Sequence, residues 1–342
     1  MKSIHTTIYL FFIAHFAYGQ TSDYRIYHRL INHAEECFFD HKKIDSAFYY
    51  YDQAFSSFDY IFAKDAINAV QLALHSKKPF MGYLLKGYEN GLRPDYFKNI
   101  KLTQDLYTQL VTDTSMIRAY QTHRAKYLKK VNFQYLQTVY GLSMEDQLKK
   151  NSSDLEYSEF QKMCLNAIKI GIKKYGGFPG AKLLGIADST VFKEVGFPNF
   201  DWNKRKQKYG NLLDYFKIDD DLASKFTLVV LLHNSCAFFE LENELRTAVS
   251  KGEIHPREVG LLYDNIYRKV NSKYNKCTIP ETKNGLFVLN KFTDYRNIPV
   301  SDQAVNALRA IWDIVPLRID GLKEEFEDQY GAKLFWGFWK CM

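Results

Sequence analysis

Apolar residues return every three or four positions along most of this chain, the period of an α-helix that buries one face. From Asp23 to His41 that face is Tyr24, Tyr27, Leu30, Ile31, Ala34, Cys37 and Phe38. Ile44 to Phe58 repeats it with Ala47, Phe48, Tyr51, Ala54 and Phe55. Lys64 to His75 uses Ala66, Ala69, Val70 and Ala73. A fourth helix opens at Pro79, since proline suits a first turn, and stops near Gly91. The pattern runs on through Asp95 to Tyr120, Arg124 to Tyr140 and Leu155 to Lys174. Ala304 to Ile314 and Leu322 to Trp339 read as the last helices. Phe192 to Gln207 reads as an irregular excursion, and Leu286 to Leu289 fits a short strand or a helical turn.

The most apolar stretch is Ala223 to Val270. It predicts one long buried helix, a tight turn at Gly252 and a second helix opened by Pro256. His233 follows seven residues, Phe226 to Leu232, that are apolar except Thr227. In the front half small residues recur at a fixed step: Ala34 and Ala69 stand 35 positions apart, as do Ala47 and Gly82. Small residues there would let paired helices approach closely. With Ala47, Tyr51 and Ala54 this resembles a degenerate tetratricopeptide repeat over roughly 70 residues, without the Trp and Leu-Gly positions of the first helix. An ordinary array of helical hairpins is the alternative. The expected fold is all-α: an N-terminal tetratricopeptide-like array over 20–120, followed by a helical domain over 121–342 packed on it.

Composition supports a packed helical protein. Hydrophobic residues make up 46%, charged residues 25% and aromatic residues 16%, and 18 Gly and 8 Pro suit long helices. The formal net charge of +7 is spread among 39 acidic residues, which reads as a mixed solvated surface rather than a nucleic-acid face. The first residues resemble a secretory leader: Lys2, an apolar run from Ile8 to Ala17, and Ala17-Tyr18-Gly19 before Gln20. Segment 1–19 is therefore expected to be a signal peptide and the mature protein to be exported, to the periplasm or outside the cell. No later stretch is long enough to span a membrane.

The five cysteines are scattered and form neither a disulfide framework nor a zinc ligand set. Cys37, Cys164 and Cys236 fall on apolar helical faces and read as small buried hydrophobes. An oxidising compartment would allow a Cys277–Cys341 bridge. The glycine-rich turn at Gly176, Gly177, Pro179 and Gly180 lacks the Gly-Lys-Ser/Thr ending of a phosphate loop and follows a helix. No cofactor or metal is expected.

Several short signatures line up between Leu142 and Asp264. They are Asp146-Gln147, Gly177-Phe178-Pro179 followed by Gly185, His233, Gly252-Glu253-Ile254 with Pro256, and Asp264 in Leu261 to Asn265. Their order and spacing resemble the uncharacterised bacterial family called domain of unknown function 6624. That family reads Asp-Gln-x-x-Arg, a Gly-Pro turn, Gln-His and Asp-Arg. This chain carries Lys149 and Lys150 near the first Arg, Leu232 in place of the Gln, and Asn265 in place of the last Arg. The resemblance implies a helical fold and export. It implies no activity.

Asp146, Gln147, His233 and Asp264 are the candidate site, brought from three helices. Ser143 and Asp146 also stand at the cap and third-residue positions of a helix opening at Leu142. A buried imidazole needs hydrogen-bond partners. A carboxylate beside it fixes the tautomer and favours the charged form, as a general base requires and as a structural network requires equally. Two functions follow. The first is a non-catalytic exported scaffold that binds a protein or peptide on its repeat surface and its aromatic C-terminus, Lys333 to Met342. The alternative is a hydrolase-like enzyme using His233 with Asp146 or Asp264. The second gains if the three side chains converge on an open pocket and fails if they are sealed beneath other side chains.

Overall fold

The computed structural model describes residues 23–150, 152–186, 191–197, 202–210, 222–234, 236–269, 285–286, 288 and 301–336. The segment 1–19 expected to be a signal peptide, Cys277, Cys341 and most of the aromatic C-terminus lie outside these residues. Among them the chain is all-α, with no strand.

The front half is two helical hairpins. Helix α1 (Tyr24–Glu35) begins on Asp23, whose side chain accepts from the Arg25 amide, and leaves through a π-turn at Glu36–Asp40. It packs on α2 (Ile44–Ser57), and α3 (Ala63–His75) packs on α4 (Met81–Tyr88). Ala34, Ala47 and Ala69 are fully buried. Gly82 is exposed, and a methyl group there would meet nothing within 4 Å, so the small-residue step fails at its last member. Gly87 carries the close approach instead: a Cβ would lie 2.7 Å from Leu92 and 3.2 Å from Ala66.

Two side-chain caps break the long helices that the apolar pattern suggests. After α5 (Gln104–Thr112), Asp113 accepts from the Ser115 and Met116 amides at 2.7 and 3.2 Å and starts α6 (Thr114–Lys130). Asn132 accepts from the Tyr135 amide at 3.0 Å and starts α7 (Phe133–Lys149). Ser143 therefore lies inside α7, where its hydroxyl donates to the Tyr140 carbonyl, and caps nothing. The capping box is Ser153 with Glu156, at the head of α8 (Asp154–Tyr175), which ends on Gly176 in the left-handed region. Short helices α9 (Ala181–Leu184), α10 (Val191–Glu194) and α11 (Trp202–Tyr209) follow.

The apolar centre is not one long helix. Helix α12 (Lys225–His233) stops where Asn234 turns its side chain onto the Cys236 amide at 2.9 Å. Asparagine bonding two residues ahead is a local competitor of the helix. Helices α13 (Ala237–Glu240) and α14 (Glu242–Ser250) continue the path. Gly252, at φ +68°, makes the predicted turn, and a Cβ there would lie 2.3 Å from the Tyr24 ring. Pro256 opens α15 (Pro256–Lys269) as expected. Helices α16 (Asp302–Ile311) and α17 (Leu317–Tyr330) complete the described chain.

The end of the chain returns to its beginning. Val315, Ile319, Phe326, Leu334 and Trp336 join the core of α1–α4, while a second core gathers α7, α8, α12 and α15. Helix α3 is consequently covered on its polar side too. Asn68 donates to the Leu334 carbonyl at 2.9 Å, Gln71 to that of Lys333 at 2.7 Å, and the Trp336 indole donates to Asn68 at 3.2 Å.

Candidate functional site

Among the described residues the His233 ring meets one of the two expected carboxylates. Its Nδ1 bonds Asp146 Oδ2, so with Asp146 ionised Nδ1 carries the proton. The Tyr157 hydroxyl donates to Asp146 Oδ1 at 2.9 Å, and Gln147 Nε2 to Oδ2 at 3.2 Å. The His233 carbonyl, at the open end of α12, accepts from Gln161 Nε2 at 2.5 Å. The Asp146 side chain is 1% exposed and that of His233 11%. Burial and the Asp146 charge push the Tyr157 hydroxyl far above its usual range. Burial, with Asp146 again, pushes the nearby Cys164 thiol up to about 12, so it is inert at neutral pH.

Asp264 serves another purpose. Fully buried on α15, its carboxylate accepts from the Leu286 amide at 2.6 Å and the Val288 amide at 2.9 Å. Asn265 beside it donates to the Leu232 carbonyl at 2.6 Å and ties α15 to α12. The turn at Gly177-Phe178-Pro179 docks on Gly252-Glu253-Ile254: Glu253 accepts from the Phe178 amide at 2.9 Å. A Cβ on Gly180 would stand 1.7 Å from the Glu253 carbonyl oxygen. Cys236 is disulfide-bonded, which corrects its reading as a small buried hydrophobe. Cys37 and Cys164 are free, and Cys164 is buried as expected.

A second constellation lies where α1, α3, α15 and α17 meet, and the apolar pattern gave no expectation of it. It surrounds a narrow cleft with about 30 Å³ of space open to water, lined by His28, Lys64, Asp65, His255, Arg257 and Lys323, with Phe335 across it. Its ions are paired beneath the surface. Lys64 meets Glu258 at 2.7 Å and Lys323 meets Glu35 at 2.5 Å. Arg257 and Arg309 both bond Asp320. Tyr27 donates to Asp65 at 2.8 Å, and His255 Nε2 stands 3.5 Å from the same carboxylate.

Burial dominates the titration of this cluster. It holds the His28 and His255 imidazoles well below their usual range, so both are neutral at pH 7, and it raises Asp65. Burial would raise Asp320 as well, but the charges of Arg257 and Arg309 overcome it and hold that carboxyl at about 2. Two buried atoms of the lining have no partner: His28 Nε2 and Arg257 Nη1.

A signal for this cluster was in the sequence. His28 and Glu35 occupy the apolar stripe of α1, beside Tyr24, Tyr27, Ile31 and Ala34. Asp320 and Lys323 do the same on α17, beside Ile319 and Phe326. Polar residues at core-facing positions announce a buried network.

No family model, curated protein or solved structure matches this chain. The chemistry must therefore be read from the two constellations. No group of three His, Cys, Asp or Glu side chains is gathered as metal ligands among the described residues, and no helix among them is long and apolar enough to cross a membrane. The Asp146–His233 pair can orient an imidazole. The cleft can desolvate a small polar ligand and meet it with fixed charges.

Proposed function

We propose that this is an exported helical binding protein that holds a small polar ligand in the cleft between its first and last helices. The observation that carries the reading is the cleft itself, with His28 Nε2 and Arg257 Nη1 buried and unpartnered in its wall. Buried polar atoms are paired in nearly all proteins, and a bound ligand, ion or ordered water is one way in which an exception is completed. Export is supported by the leader-like start and by the disulfide at Cys236, a bond kept in oxidising compartments. The resemblance to domain of unknown function 6624 belongs to the same proposal, as does the tetratricopeptide-like reading of the front half, for which the α1–α2 and α3–α4 hairpins speak. A protein or peptide partner held on that front face is a separate binding reading.

The test is retention. The mature protein is incubated with a low-mass cell extract, desalted and weighed by native mass spectrometry. A retained small molecule, lost when His28→Phe fills the cleft, is expected. Retention unchanged by His28→Phe, or no retained mass at all, would refute the cleft as the binding site.

One observation favours a second reading. Asp146 fixes the His233 tautomer as it would in a hydrolase. In that case His233→Ala abolishes a hydrolytic activity found in a substrate panel while the melting temperature holds. An activity that survives His233→Ala would exclude it.

A further inference from the structure

The cleft sits where two helices begin. Helix α3 is 13 residues long, and no side chain caps its first turn. Helix α15 is 14 residues long and starts at Pro256 in the cleft wall. Each start presents a partial positive charge of about half a unit, which favours an anion. At α15 this is dipole alone, since Pro256 has no N–H and the Arg257, Glu258 and Val259 amides bond His255. A helix start alone is a weak sign. Here an independent one accompanies it: His28 is 2% exposed, lines the cleft and leaves Nε2 unpartnered. Arg257 adds Nη1, a donor that cannot lose its proton.

The pairing of charges points the same way. Lys64 and Lys323 each have one carboxylate, but Arg257 and Arg309 share Asp320. Asp65 is turned toward Tyr27 and His255, and its burial disfavours the ionised form. The other carboxylates of the lining are already engaged, Glu35 by Lys323 and Asp313 by Arg25 and Arg29, so a cation would find no free acid there and would face the Arg257 donor. Glu258 Oε2 is also unpartnered, but Glu258 is not part of the cleft lining. Phe335 lies over the Arg257 guanidinium at 5.5 Å and the Lys323 ammonium at 5.2 Å and narrows the entrance, so the ligand is small.

We propose that the cleft binds a small oxyanion, a carboxylate or phosphate group, seated at the first turns of α3 and α15 against Arg257 Nη1, Lys64 and His28 Nε2. The proposal rests on the binding reading above and deepens it. Arg257 supplies the charge-assisted bond. His28, neutral, donates through Nε2. The helix starts add fixed positive potential where water is excluded.

The experiment is calorimetric melting of the mature protein at fixed pH and ionic strength, titrated with inorganic phosphate, with acetate, and with chloride as control. A saturable rise in melting temperature with phosphate or acetate, absent with chloride, is expected. Response to acetate alone assigns a carboxylate, and to phosphate alone a phosphate. His28→Phe should weaken the apparent affinity at least tenfold, and Arg257→Lys, which keeps the charge, by a smaller factor. No saturable rise with either oxyanion, or an equal rise in His28→Phe, overturns the proposal. Should His28→Phe not fold, ¹⁵N-histidine NMR of the unaltered protein decides: a titrating shift of His28 Nε2 supports the site, and an unmoved signal sinks it. A neutral or cationic molecule retained in the extract experiment would defeat the oxyanion assignment and leave the binding reading standing.

Discussion

Lys323 on α17 and Glu35 on α1 meet at 2.5 Å, 288 positions apart in the chain and both buried. The pair joins the last helix to the first across the floor of the cleft. Taking either charge away leaves the other in a low-dielectric interior without its counter-ion. Lys323→Met is therefore expected to lower the unfolding free energy by about 3–5 kcal/mol, while the double change with Glu35→Leu recovers most of that loss. Urea denaturation of the three variants measures it. A single variant within about 1 kcal/mol of the parent would mean that the pair does not hold the ends together.

The cleft also predicts how stability responds to acid. His28 and His255 are neutral in the folded protein because burial lowers them well below the usual 6.5. The unfolded chain takes up their protons as pH falls through that value, so it binds more protons than the native state. Stability then drops as pH goes from about 7 to about 5. Asp65 works against this trend, since its raised carboxyl gains a proton in the folded state first. A second loss follows below about 4, where an unfolded aspartate protonates while Asp320 stays ionised down to about 2. His28→Gln should flatten the first slope and leave the second. Equal slopes in both proteins between pH 7 and 5 would remove His28 from the account.

Much of this architecture was legible because a helix that buries one face writes its period into the sequence. Helices α1, α2, α8 and α15 follow from that period and from local caps. The breaks at Asp113, Asn132 and Asn234 were hidden, since each depends on one short side chain outcompeting an apolar pattern that runs on past it. The full burial of α3 was hidden for a different reason: the residues that cover Asn68 and Gln71 arrive 262 to 268 positions later. The same distance concealed the cleft. For His233, the sequence offered Asp146 and Asp264 alike. Asp264 instead accepts from the backbone amides of Leu286 and Val288, and no side-chain pattern records a backbone donor.

Two glycines, one in α7 and one in the turn before α9, should answer the same substitution with opposite signs. Gly180 presses its α-carbon against the Glu253 carbonyl, and an added Cβ would stand 1.7 Å from that oxygen. Backbone must move to admit it, so Gly180→Ala is expected to cost about 3 kcal/mol or more and to loosen the turn carrying Phe178. Gly141 lies inside α7, and a methyl group added there would meet nothing within 4 Å. Gly141→Ala should stabilise by up to about 1 kcal/mol through helix propensity. Melting curves of the two variants give the comparison. A tolerated Gly180→Ala would show that the turn and the Glu253 strap separate freely.

The last prediction concerns what Asp146 and His233 are for. In the binding reading they form a strut: Asp146 on α7 gathers His233 from α12, Tyr157 from α8 and its own neighbour Gln147. Asp146→Ala strips the acceptor from three half-buried donors at once, a loss of about 3–5 kcal/mol, toward the lower end of ~1–3 kcal/mol per stranded group. Asp146→Asn keeps one amide oxygen and should cost less. Because Tyr157 and His233 share a carboxylate, Tyr157→Phe and His233→Ala should not add, and a double-mutant cycle should give a coupling above about 0.5 kcal/mol. A strut shows that coupling in urea melts and leaves retention of the cleft ligand intact once the variants are folded. A catalytic histidine behaves otherwise: its removal leaves the melt nearly unchanged and erases turnover. The two outcomes separate on a single variant, His233→Ala, measured for stability and activity side by side.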